Sequence, residues 1–314
     1  MILTLGNKCA MNKQLLALEQ QLSSSILVQI KEPFIHEQGI ELWLKRDDLL
    51  HPIISGNKWR KLKYILEHAL SLNTHTIVSM GGAYSNHLHA LAYVGKALQI
   101  ATKAKIRGEQ PAILNPSLQD MTDWDMQLDY VSRTDYRELR NYQRHDALPD
   151  LQIGEYWLPE GGAMPFALRG VAELVDEFDI DYDVVCVPCG TATTLAGVIS
   201  VLPVDKQALG FAALKGADFL YDDMRQILKN TSCHNNDWSI QLGYHFGGFA
   251  KVKPDLRSFM QKFEQTHGIK LEPVYTGKML YGLYDLIRQG YFKAGQKIIA
   301  VHTGGLQGNR GFAL

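Results

Sequence analysis

A lysine in a position to do chemistry lies at the start of a predicted helix, in the segment Ser55-Gly56-Asn57-Lys58-Trp59-Arg60. After it, apolar residues recur at the i, i+3, i+4, i+7 spacing of one helix face, formed by Leu62, Ile65, Leu66 and Ala69. Lys58 lies off this face and can point into a cleft, where a lysine amine can act as a nucleophile or a base. The alternative is a solvated lysine within a basic stretch, because lysine side chains are mostly exposed.

Four further turns carry polar side chains that could bind a ligand. In residues 81–87, two glycines let backbone amides approach a ligand, although Ser85 could simply cap the next helix. In residues 188–194, a glycine, several hydroxyls and the amides at a helix start suit a phosphate group, or form a plain capping turn. The other two turns are residues 275–278, before a helix, and residues 302–305, after the last predicted strand.

Several familiar sites are excluded by spacing. Residues 188–194 have neither the phosphate-loop spacing G-x-x-x-x-G-K-[ST] nor the dinucleotide turn G-x-G-x-x-G. Ser85 lacks the G-x-S-x-G elbow of hydrolases, and the pair His87 and His89 has no partner at metal-site spacing. Cys186 and Cys189 form a C-x-x-C within a buried strand, which favours packing over redox or metal chemistry.

The elements that position these turns alternate between strand and helix. Such alternation predicts an α/β fold of parallel sheets covered by helices, with ligands bound beyond the carboxyl ends of the strands. The predicted helices are 11–22, 58–70, 86–98, 115–127, 166–178, 195–202, 218–229, 257–266 and 278–288. The predicted strands are 25–31, 40–45, 74–80, 101–107, 128–132, 156–158, 184–187, 208–214 and 297–301, and residues 230–254 are expected to be irregular.

The composition is that of an ordinary globular chain. Its 314 residues are enough for two domains, and 21% of them are charged and 46% hydrophobic. A net charge of −1 gives no electrostatic support for binding nucleic acid or an anionic membrane. We see no signal peptide and no apolar run that could cross a membrane, and four cysteines do not suggest a disulfide scaffold, so a cytoplasmic protein is expected.

Taken together and in order, these motifs resemble the fold-type II pyridoxal-phosphate enzymes, which are tryptophan synthase β-like, and in particular the D-cysteine desulfhydrase and 1-aminocyclopropane-1-carboxylate (ACC) deaminase family. The resemblance extends from about residue 42 to residue 305. The matching segments are Leu44-Lys45-Arg46-Asp47-Asp48, Ser55-Gly56-Asn57-Lys58-x-Arg60-Lys61-Leu62, Gly81-Gly82 with Ser85-Asn86-His87, Pro159-Glu160-Gly161-Gly162, Gly190-Thr191, Pro273-Val274-Tyr275-Thr276-Gly277-Lys278 and His302-Thr303-Gly304-Gly305.

The resemblance implies a role for each site residue, with Lys58, Ser85 and Tyr275 as the catalytic ones. Lys58 would form the Schiff base with pyridoxal phosphate and then act as the base, which requires a depressed pKa in a dry site. Asn86 would bond the ring hydroxyl. The residues near the pyridine nitrogen would be Thr303 and Thr276. The cofactor phosphate would be held by Gly190, Thr191, Ala192, Thr193 and Thr194. The substrate would be contacted by Ser85, Tyr84, His87, Gly162 and Tyr275.

Departures from the family pattern bear on the reaction. ACC deaminases carry a glutamate where Thr276 stands, and a neutral hydroxyl does less to keep the pyridine nitrogen protonated. The expected chemistry is therefore β-elimination from a small amino acid, with D-cysteine giving pyruvate, sulfide and ammonia. Family members usually have glutamine at Tyr84, tyrosine at Phe249 and glycine at Ala192.

Several alternatives stay open. The chain could be an ACC deaminase, another dehydratase or a racemase that uses the same cofactor. It could also be a catalytically silent cofactor-binding paralogue, a reading that Tyr84 and Phe249 support. From a different class, it could be an α/β protein that binds a phosphate ester and leaves Lys58 exposed.

The resemblance also implies the domain plan and the partners. Residues 1–59 and 159–314 would form a large cofactor-binding domain, with residues 60–158 inserted into it as a small domain. Each domain would be a mostly parallel sheet covered by helices, and the cofactor would lie in the cleft between them. A small amino-acid substrate, a homodimer and no metal are expected.

Overall fold

The computed structural model describes residues 12–229, 231–233 and 235–312. The larger of its two sheets has six strands. Its strand order is β1-β2-β10-β7-β8-β9, and only the β1–β2 pair is antiparallel. The strands are β1 (Leu27–Ile30), β2 (Glu41–Lys45), β7 (Val184–Cys189), β8 (Gln207–Ala212), β9 (Trp238–Gln241) and β10 (Lys297–Val301). The last strand in the chain therefore lies in the middle of the sheet, between β2 and β7.

The smaller sheet is entirely parallel and has the order β5-β4-β3-β6. Its strands are β3 (Thr76–Gly81), β4 (Ala101–Arg107), β5 (Gln127–Val131) and β6 (Glu155–Leu158). All of these residues lie between β2 and β7 in the sequence, so the chain leaves the larger sheet, builds the smaller one and then returns.

Helices cover both sheets, as the alternating pattern predicted. They are α1 (Lys13–Glu19), α2 (Pro33–Glu37), α3 (Asn57–Ser71), α4 (Asn86–Leu98), α5 (Pro116–Asp123), α6 (Arg133–Leu139), α7 (Pro165–Asp176), α8 (Thr193–Ile199), α9 (Phe219–Leu228), α10 (Pro254–His267) and α11 (Thr276–Arg288). None of the described helices is long and apolar enough to cross a membrane.

Buried apolar residues explain why these elements pack as they do. Successive residues of β7 face opposite sides of the sheet, so Val184 and Cys186 join one cluster while Val185 and Val187 join another. The predicted face of α3 is fully buried against the smaller sheet and α4. This α/β architecture confirms the predicted fold class.

The stretch 230–254 differs from the expectation of irregular structure, because β9 forms at its centre. Its four residues, Trp238–Gln241, pair only with β8 at the edge of the sheet. Alternation over four residues inside a polar, glycine-containing stretch is a weak signal, and the pairing with β8 supplies what local sequence does not. Cys186 and Cys189 are buried in β7 as free thiols, and burial raises the pKa of both, that of Cys189 to about 12.

Candidate active site

Lys58 lies in the first turn of α3, at the edge of the space between the two sheets. Its Nζ donates to Asn57 Oδ1 at 2.5 Å, and Asn57 Nδ2 donates to Thr194 Oγ1 at 2.9 Å. Desolvation lowers the pKa of Lys58 to about 8, a shift that the negative charge of Glu272 partly opposes. A substantial fraction of the amine is therefore neutral near physiological pH, as a nucleophile or base requires.

A buried network of charges fixes the turn that carries Lys58. Arg60 donates from Nε and Nη2 to Asp47 at 2.7 and 2.9 Å and, from Nη1 and Nη2, to both oxygens of Glu177 at 2.7 Å. Lys45, which is fully buried, pairs with the same Glu177 at 2.8 Å. Lys45, Asp47 and Arg60 are buried and paired, and Glu177 pairs with them from a side chain that is 39% exposed. These ion pairs hold the start of α3 against the end of β2 and the end of α7. The charged run at the end of β2 is thus structural.

Two glycine turns bring the lysine segment onto the end of β10. Gly56 has φ +63°, and a Cβ there would lie 1.9 Å from the carbonyl oxygen of Thr303. Gly304, at φ +70°, is equally crowded, since its Cβ would lie 2.5 Å from Ser55 Oγ. Only glycine satisfies both the backbone conformation and the close contact at these positions. Thr303 is buried directly beneath the turn before Lys58.

A second buried lysine, Lys61, lies one helical turn after Lys58. Its Nζ approaches Gly161 O at 3.4 Å and Thr191 Oγ1 at 3.5 Å, and no described carboxylate forms an ion pair with it. Desolvation and the nearby charge of Lys58 lower the pKa of Lys61 to about 7. We call Lys61, Gly161 and Thr191 the anion end, because a buried cation without a counter-charge favours an anionic ligand.

The predicted phosphate loop follows β7 and lies beside the anion end. Thr191 Oγ1 donates to Thr193 Oγ1 at 3.3 Å, and Ala192, Thr193 and Thr194 are buried. Gly190 packs under the ring of Tyr275, since a Cβ there would lie 2.6 Å from Cε1. The loop and Tyr275 thus line the same space.

Ser85 and Asn86 begin α4 at the carboxyl end of β3, on the opposite side of the cleft. Ser85 Oγ accepts from the Leu88 amide at 3.2 Å, so this serine does cap the helix, and its own hydroxyl proton stays available to donate. Asn86 Oδ1 accepts from Gln307 Nε2 at 2.5 Å. We call residues 85–87 and their protein partners the small-sheet rim.

His87 is held in one tautomer. Ser79 Oγ donates its single proton to Leu158 O at 2.8 Å, so at 2.9 Å it can only accept from His87 Nε2. The imidazole therefore carries its proton on Nε2, and Nδ1 is a buried acceptor without a protein partner among the described residues. Desolvation, followed by the charges of Lys58 and Lys61, lowers the pKa of His87 to about 3, so the ring is neutral. Nδ1 faces Gly162, where a Cβ would lie 3.6 Å from it.

A buried carboxylate before α11, that of Glu272, is already engaged by backbone amides. Glu272 is buried and accepts from the amides of Val274 and Tyr275 at 2.8 Å and from that of Thr276 at 2.5 Å. It therefore caps the start of α11. Thr276 and Thr303 are both buried, and burial raises the pKa of Tyr275, whose hydroxyl is protonated.

Tyr84 and Phe249 occupy different surroundings from each other. The Phe249 ring lies edge-on to Tyr275, with 6.0 Å between ring centroids, although 46% of Phe249 is exposed. Tyr84 packs against Gly311, where a Cβ would lie 3.0 Å from its ring. Phe249 thus joins the predicted site through Tyr275, whereas Tyr84 turns towards the C-terminal segment.

Three residues with a part in this geometry were not predicted as site residues. In the sequence, Lys61 is one member of a basic stretch, and its burial in the structure is what separates it from an ordinary surface lysine. Lys278 Nζ donates to Gly248 O at 2.8 Å and to Ala213 O at 3.2 Å, which fixes the loop before Phe249. Gln307 contacts Asn86 from the segment after residue 305, beyond the part of the chain that resembles the family. No sequence signal marks Gln307, because its partners are distant in the chain.

The geometry fits a phosphate ester that also carries a carbonyl group. A lysine with a lowered pKa can react with a carbonyl, and the anion end supplies an uncompensated cation beside a hydroxyl-rich loop. Asn86, Thr303 and Tyr275 supply neutral polar groups around the space between them. Among the described residues no cluster of histidine, cysteine and carboxylate side chains is arranged to bind a metal ion.

Comparisons with known proteins agree with this chemistry. A family model described as pyridoxal-phosphate dependent enzyme matches residues 25–304. A putative ACC deaminase of Pyrococcus horikoshii is 30% identical over 286 residues, which cover 87% of this chain and 86% of that protein. The mitochondrial bifunctional D-cysteine desulfhydrase/ACC deaminase of Arabidopsis thaliana is 28% identical and matches over 86% of this chain and 73% of its own length.

A solved structure supports the same assignment. The crystal structure of an ACC deaminase homologue superimposes with a TM-score of 0.78 and 27% identity, covering 95% of this chain and 97% of that one. A lysine of lowered pKa, an anion end and hydroxyl-bearing turns are the donors that pyridoxal phosphate needs. The chain belongs to the fold-type II pyridoxal-phosphate-dependent enzymes, within the family of ACC deaminase and D-cysteine desulfhydrase, and pyridoxal phosphate is its cofactor.

Proposed function

We propose that the protein catalyses β-elimination on a small amino acid, with D-cysteine as the leading substrate. The overall reaction consumes one water and gives pyruvate, sulfide and ammonia. The observation that carries the proposal is that Glu272 accepts from three backbone amides, while the buried Thr276 and Thr303 carry no charge. Because the residues proposed to lie near the pyridine nitrogen are neutral hydroxyls, the site would favour a reaction with a good leaving group on the β-carbon over the opening of a cyclopropane ring.

In this proposal each part of the site holds one part of the cofactor. Lys58 would bind it covalently, and Asn86 would donate to its ring hydroxyl. The residues near the ring nitrogen would be Thr303 and Thr276. The phosphate would be held by Lys61 and by Gly190, Thr191, Ala192, Thr193 and Thr194. When bound, pyridoxal phosphate supplies an electron sink that acidifies the bond between the α-carbon and its proton.

The chain's own residues supply the proton transfers and the binding of substrate. Lys58, with a pKa of about 8, would accept the α-proton as its neutral amine. Ser85 would donate a hydrogen bond from its free hydroxyl group to the substrate carboxylate. Tyr275 is held protonated, so it would act as a donor beside the leaving group rather than as a base. His87 Nδ1 would accept a hydrogen bond near Gly162.

The proposal extends to domains, assembly and location. Residues 60–158 would move as a small domain against residues 1–59 and 159–314, and closure would exclude water from the cleft. Support comes from the two separate sheets: the small-sheet rim follows β3, and the anion end takes Gly161 from the turn after β6 and Thr191 from the turn after β7. A cytoplasmic homodimer is the assembly proposed, since symmetric dimers are common and the described cysteines are free thiols.

ACC deamination is the second candidate, because several relatives are named as putative or established ACC deaminases. Phe249 counts against it. Family members usually carry a tyrosine there, and the Phe249 ring lies beside Tyr275 without a hydroxyl to offer. A silent paralogue that binds the cofactor without turnover is the third reading.

One experiment on the purified protein separates these readings. The protein is loaded with pyridoxal phosphate, reduced with borohydride and digested, and the labelled peptide is mapped. Label on Lys58 is expected, whereas label on Lys61 or no label contradicts the site. D-cysteine, L-cysteine, D-serine and ACC are then compared by release of sulfide, ammonia and keto acid. Sulfide and pyruvate from D-cysteine are expected. Turnover of ACC alone, or of no amino acid, overturns the proposed reaction.

A further inference from the structure

The C-terminal segment Leu306–Gly311 forms a strap across the cleft, from the end of the larger sheet to the helices of the smaller one. On one side, Asn309 Nδ2 donates to Leu271 O at 3.1 Å, next to the residue that caps α11. On the other, Arg310 forms an ion pair with Asp120 of α5. Gln307, near the start of the strap, contacts Asn86. The strap thus contacts the residue proposed to bind the cofactor's ring hydroxyl.

The orientation of the Gln307 amide is fixed by two groups that can each play only one role. Arg310 Nη2 can only donate, and it lies 3.3 Å from Gln307 Oε1. The Tyr84 carbonyl can only accept, and it lies 3.5 Å from Gln307 Nε2. Ser117 Oγ also donates to Oε1, at 2.6 Å. The amide nitrogen of Gln307 therefore points at Asn86.

This orientation determines which end of the Asn86 amide remains for a ligand. Gln307 Nε2 donates to Asn86 Oδ1 at 2.5 Å, so the oxygen of Asn86 is engaged. Asn86 Nδ2 packs over Gly305, where a Cβ would lie 2.4 Å away, and it donates to no protein acceptor within the described residues. Asn86 is consequently a directed donor with an unused N–H group. Two hydrogen bonds in series set the orientation of the Asn86 amide: Ser117 donates to Gln307, and Gln307 donates to Asn86.

We propose that Gln307 is a positioning residue that fixes Asn86 as a hydrogen-bond donor to the ring hydroxyl oxygen of pyridoxal phosphate. A donor favours the deprotonated form of that oxygen and lowers its pKa. Without the bond from Gln307, the Asn86 amide is free to rotate by half a turn and to present its own oxygen, which repels the same group. The inference rests on the proposed role of Asn86 in cofactor binding.

The test measures the cofactor-loaded protein without substrate. The readouts are the pH midpoint of the visible absorption, the dissociation constant for pyridoxal phosphate and the melting temperature. Gln307→Glu removes the donor and attracts the Asn86 N–H groups, so the Asn86 oxygen turns to the cofactor. We expect its absorption midpoint to shift by about one pH unit and its cofactor affinity to fall about tenfold. Gln307→Met, which removes the donor only, should shift both in the same direction and by less.

Two control variants separate donor polarity from anchoring of the strap. Ser117→Ala removes a bond to Gln307 Oε1, but Arg310 still fixes the amide. Asp120→Asn weakens the ion pair that holds Arg310 and anchors the strap, but Ser117 and the Tyr84 carbonyl still orient the Gln307 amide. Both controls should keep the absorption midpoint of the unmodified protein, and Asp120→Asn should lower the melting temperature. The inference is overturned if both Gln307 variants change only the melting temperature, or if Asp120→Asn shifts the absorption as much as Gln307→Glu.

A further variant distinguishes failure of this inference from failure of the proposed function. Asn86→Ala should shift the absorption midpoint at least as far as Gln307→Glu. An unchanged midpoint in Asn86→Ala contradicts the role of Asn86 and the inference with it. A shift in Asn86→Ala without one in either Gln307 variant contradicts the inference alone. Because no substrate is present, these outcomes do not depend on which amino acid the enzyme converts.

Discussion

The anion end and the small-sheet rim face the same cleft but are built in opposite ways. At the anion end, Lys61 is buried with only weak polar contacts, at 3.4 and 3.5 Å, and it forms no ion pair with a carboxylate in the part of the chain that the structure describes. At the small-sheet rim, Ser85, Asn86 and His87 each have a fixed hydrogen-bond partner. The anion end attracts through charge, which any phosphate ester satisfies. The rim instead offers hydrogen bonds whose donor and acceptor directions are set in advance, and these select what binds.

Lys58 lies between the anion end and the small-sheet rim. Replacing it tests whether these two parts of the cleft serve one reaction. Lys58→Ala should abolish the covalent visible absorption and reduce turnover by about a thousandfold or more, because the variant lacks both the attachment and the base. The measurements are the absorption spectrum and sulfide release from D-cysteine. Lys63→Ala is the matched control, since Lys63 lies on the same helix but pairs with Glu173 at 2.9 Å. Retained absorption in Lys58→Ala would place the attachment elsewhere.

Lys61→Met should weaken anion binding at the anion end and leave the hydrogen bonds of the small-sheet rim unchanged. Loss of a charge-assisted bond to phosphate should weaken the binding of pyridoxal phosphate by about 10- to 100-fold. Titration of the cofactor-free protein with pyridoxal phosphate measures this, and inorganic phosphate should compete in the unmodified protein but not in the variant. Excess cofactor should still label Lys58, because the nucleophile is intact. Equal affinity in the variant and the unmodified protein is the contrary result.

The two lysines should also give opposite responses to pH. The Lys58 amine reacts only when neutral, and its pKa of about 8 lies below the ordinary value of 10.5. At saturating pyridoxal phosphate, where binding at the anion end does not limit the rate, covalent cofactor uptake should therefore rise about tenfold between pH 7 and 9 and then level off. Lys61 attracts anions only when protonated, and its pKa is about 7. Binding of inorganic phosphate to the cofactor-free protein should fall as the pH rises through 7. Parallel responses would contradict the separate roles.

A pair of substitutions at His87 tests the direction of hydrogen bonds at the rim. Asparagine can place an acceptor near the position of Nδ1, whereas glutamine can reach Ser79 from the position of Nε2 but leaves no acceptor facing Gly162. If the unpartnered Nδ1 contacts substrate, His87→Gln should raise KM about 3- to 10-fold, and His87→Asn should raise it less. Steady-state kinetics with D-cysteine measures both. The reverse order would indicate that the bond to Ser79 matters and that Nδ1 does not.

The parts of this molecule that sequence could predict are those with local signals. The apolar stripe of α3 and the β-branched run of β7 predicted their elements and burial, and seven ordered motifs predicted the family. A helix cap is one of the two roles that the sequence indicates for Ser85, because capping depends on a residue three positions away, and the structure shows that cap. Helix position alone leaves Lys58 either in a cleft or in solvent, and the family resemblance favours the cleft.

The parts that sequence could not predict depend on contacts between distant segments. Lys61 belongs to a basic run that reads as surface, yet packing leaves it only 4% exposed. Gln307 reaches Ser117 and Asn86 across 190 and 221 positions of sequence. Glu272 gave no sign that its carboxylate would be used by backbone amides. Hydrogen-bond direction in particular emerges only once every partner is known, as for His87.

The place of β10 in the larger sheet has a consequence for biosynthesis. This strand pairs with β2 on one side and with β7 on the other, and the turn after it supports Gly56 before Lys58. A nascent chain that has not yet emerged past residue 305 therefore lacks both the centre of its sheet and the floor of its cofactor site. Contacts over such long separations form slowly. Cofactor loading should thus follow the emergence of residue 305 from the ribosome, and until then the unpaired edges of β2 and β7 are exposed to chaperones or to aggregation.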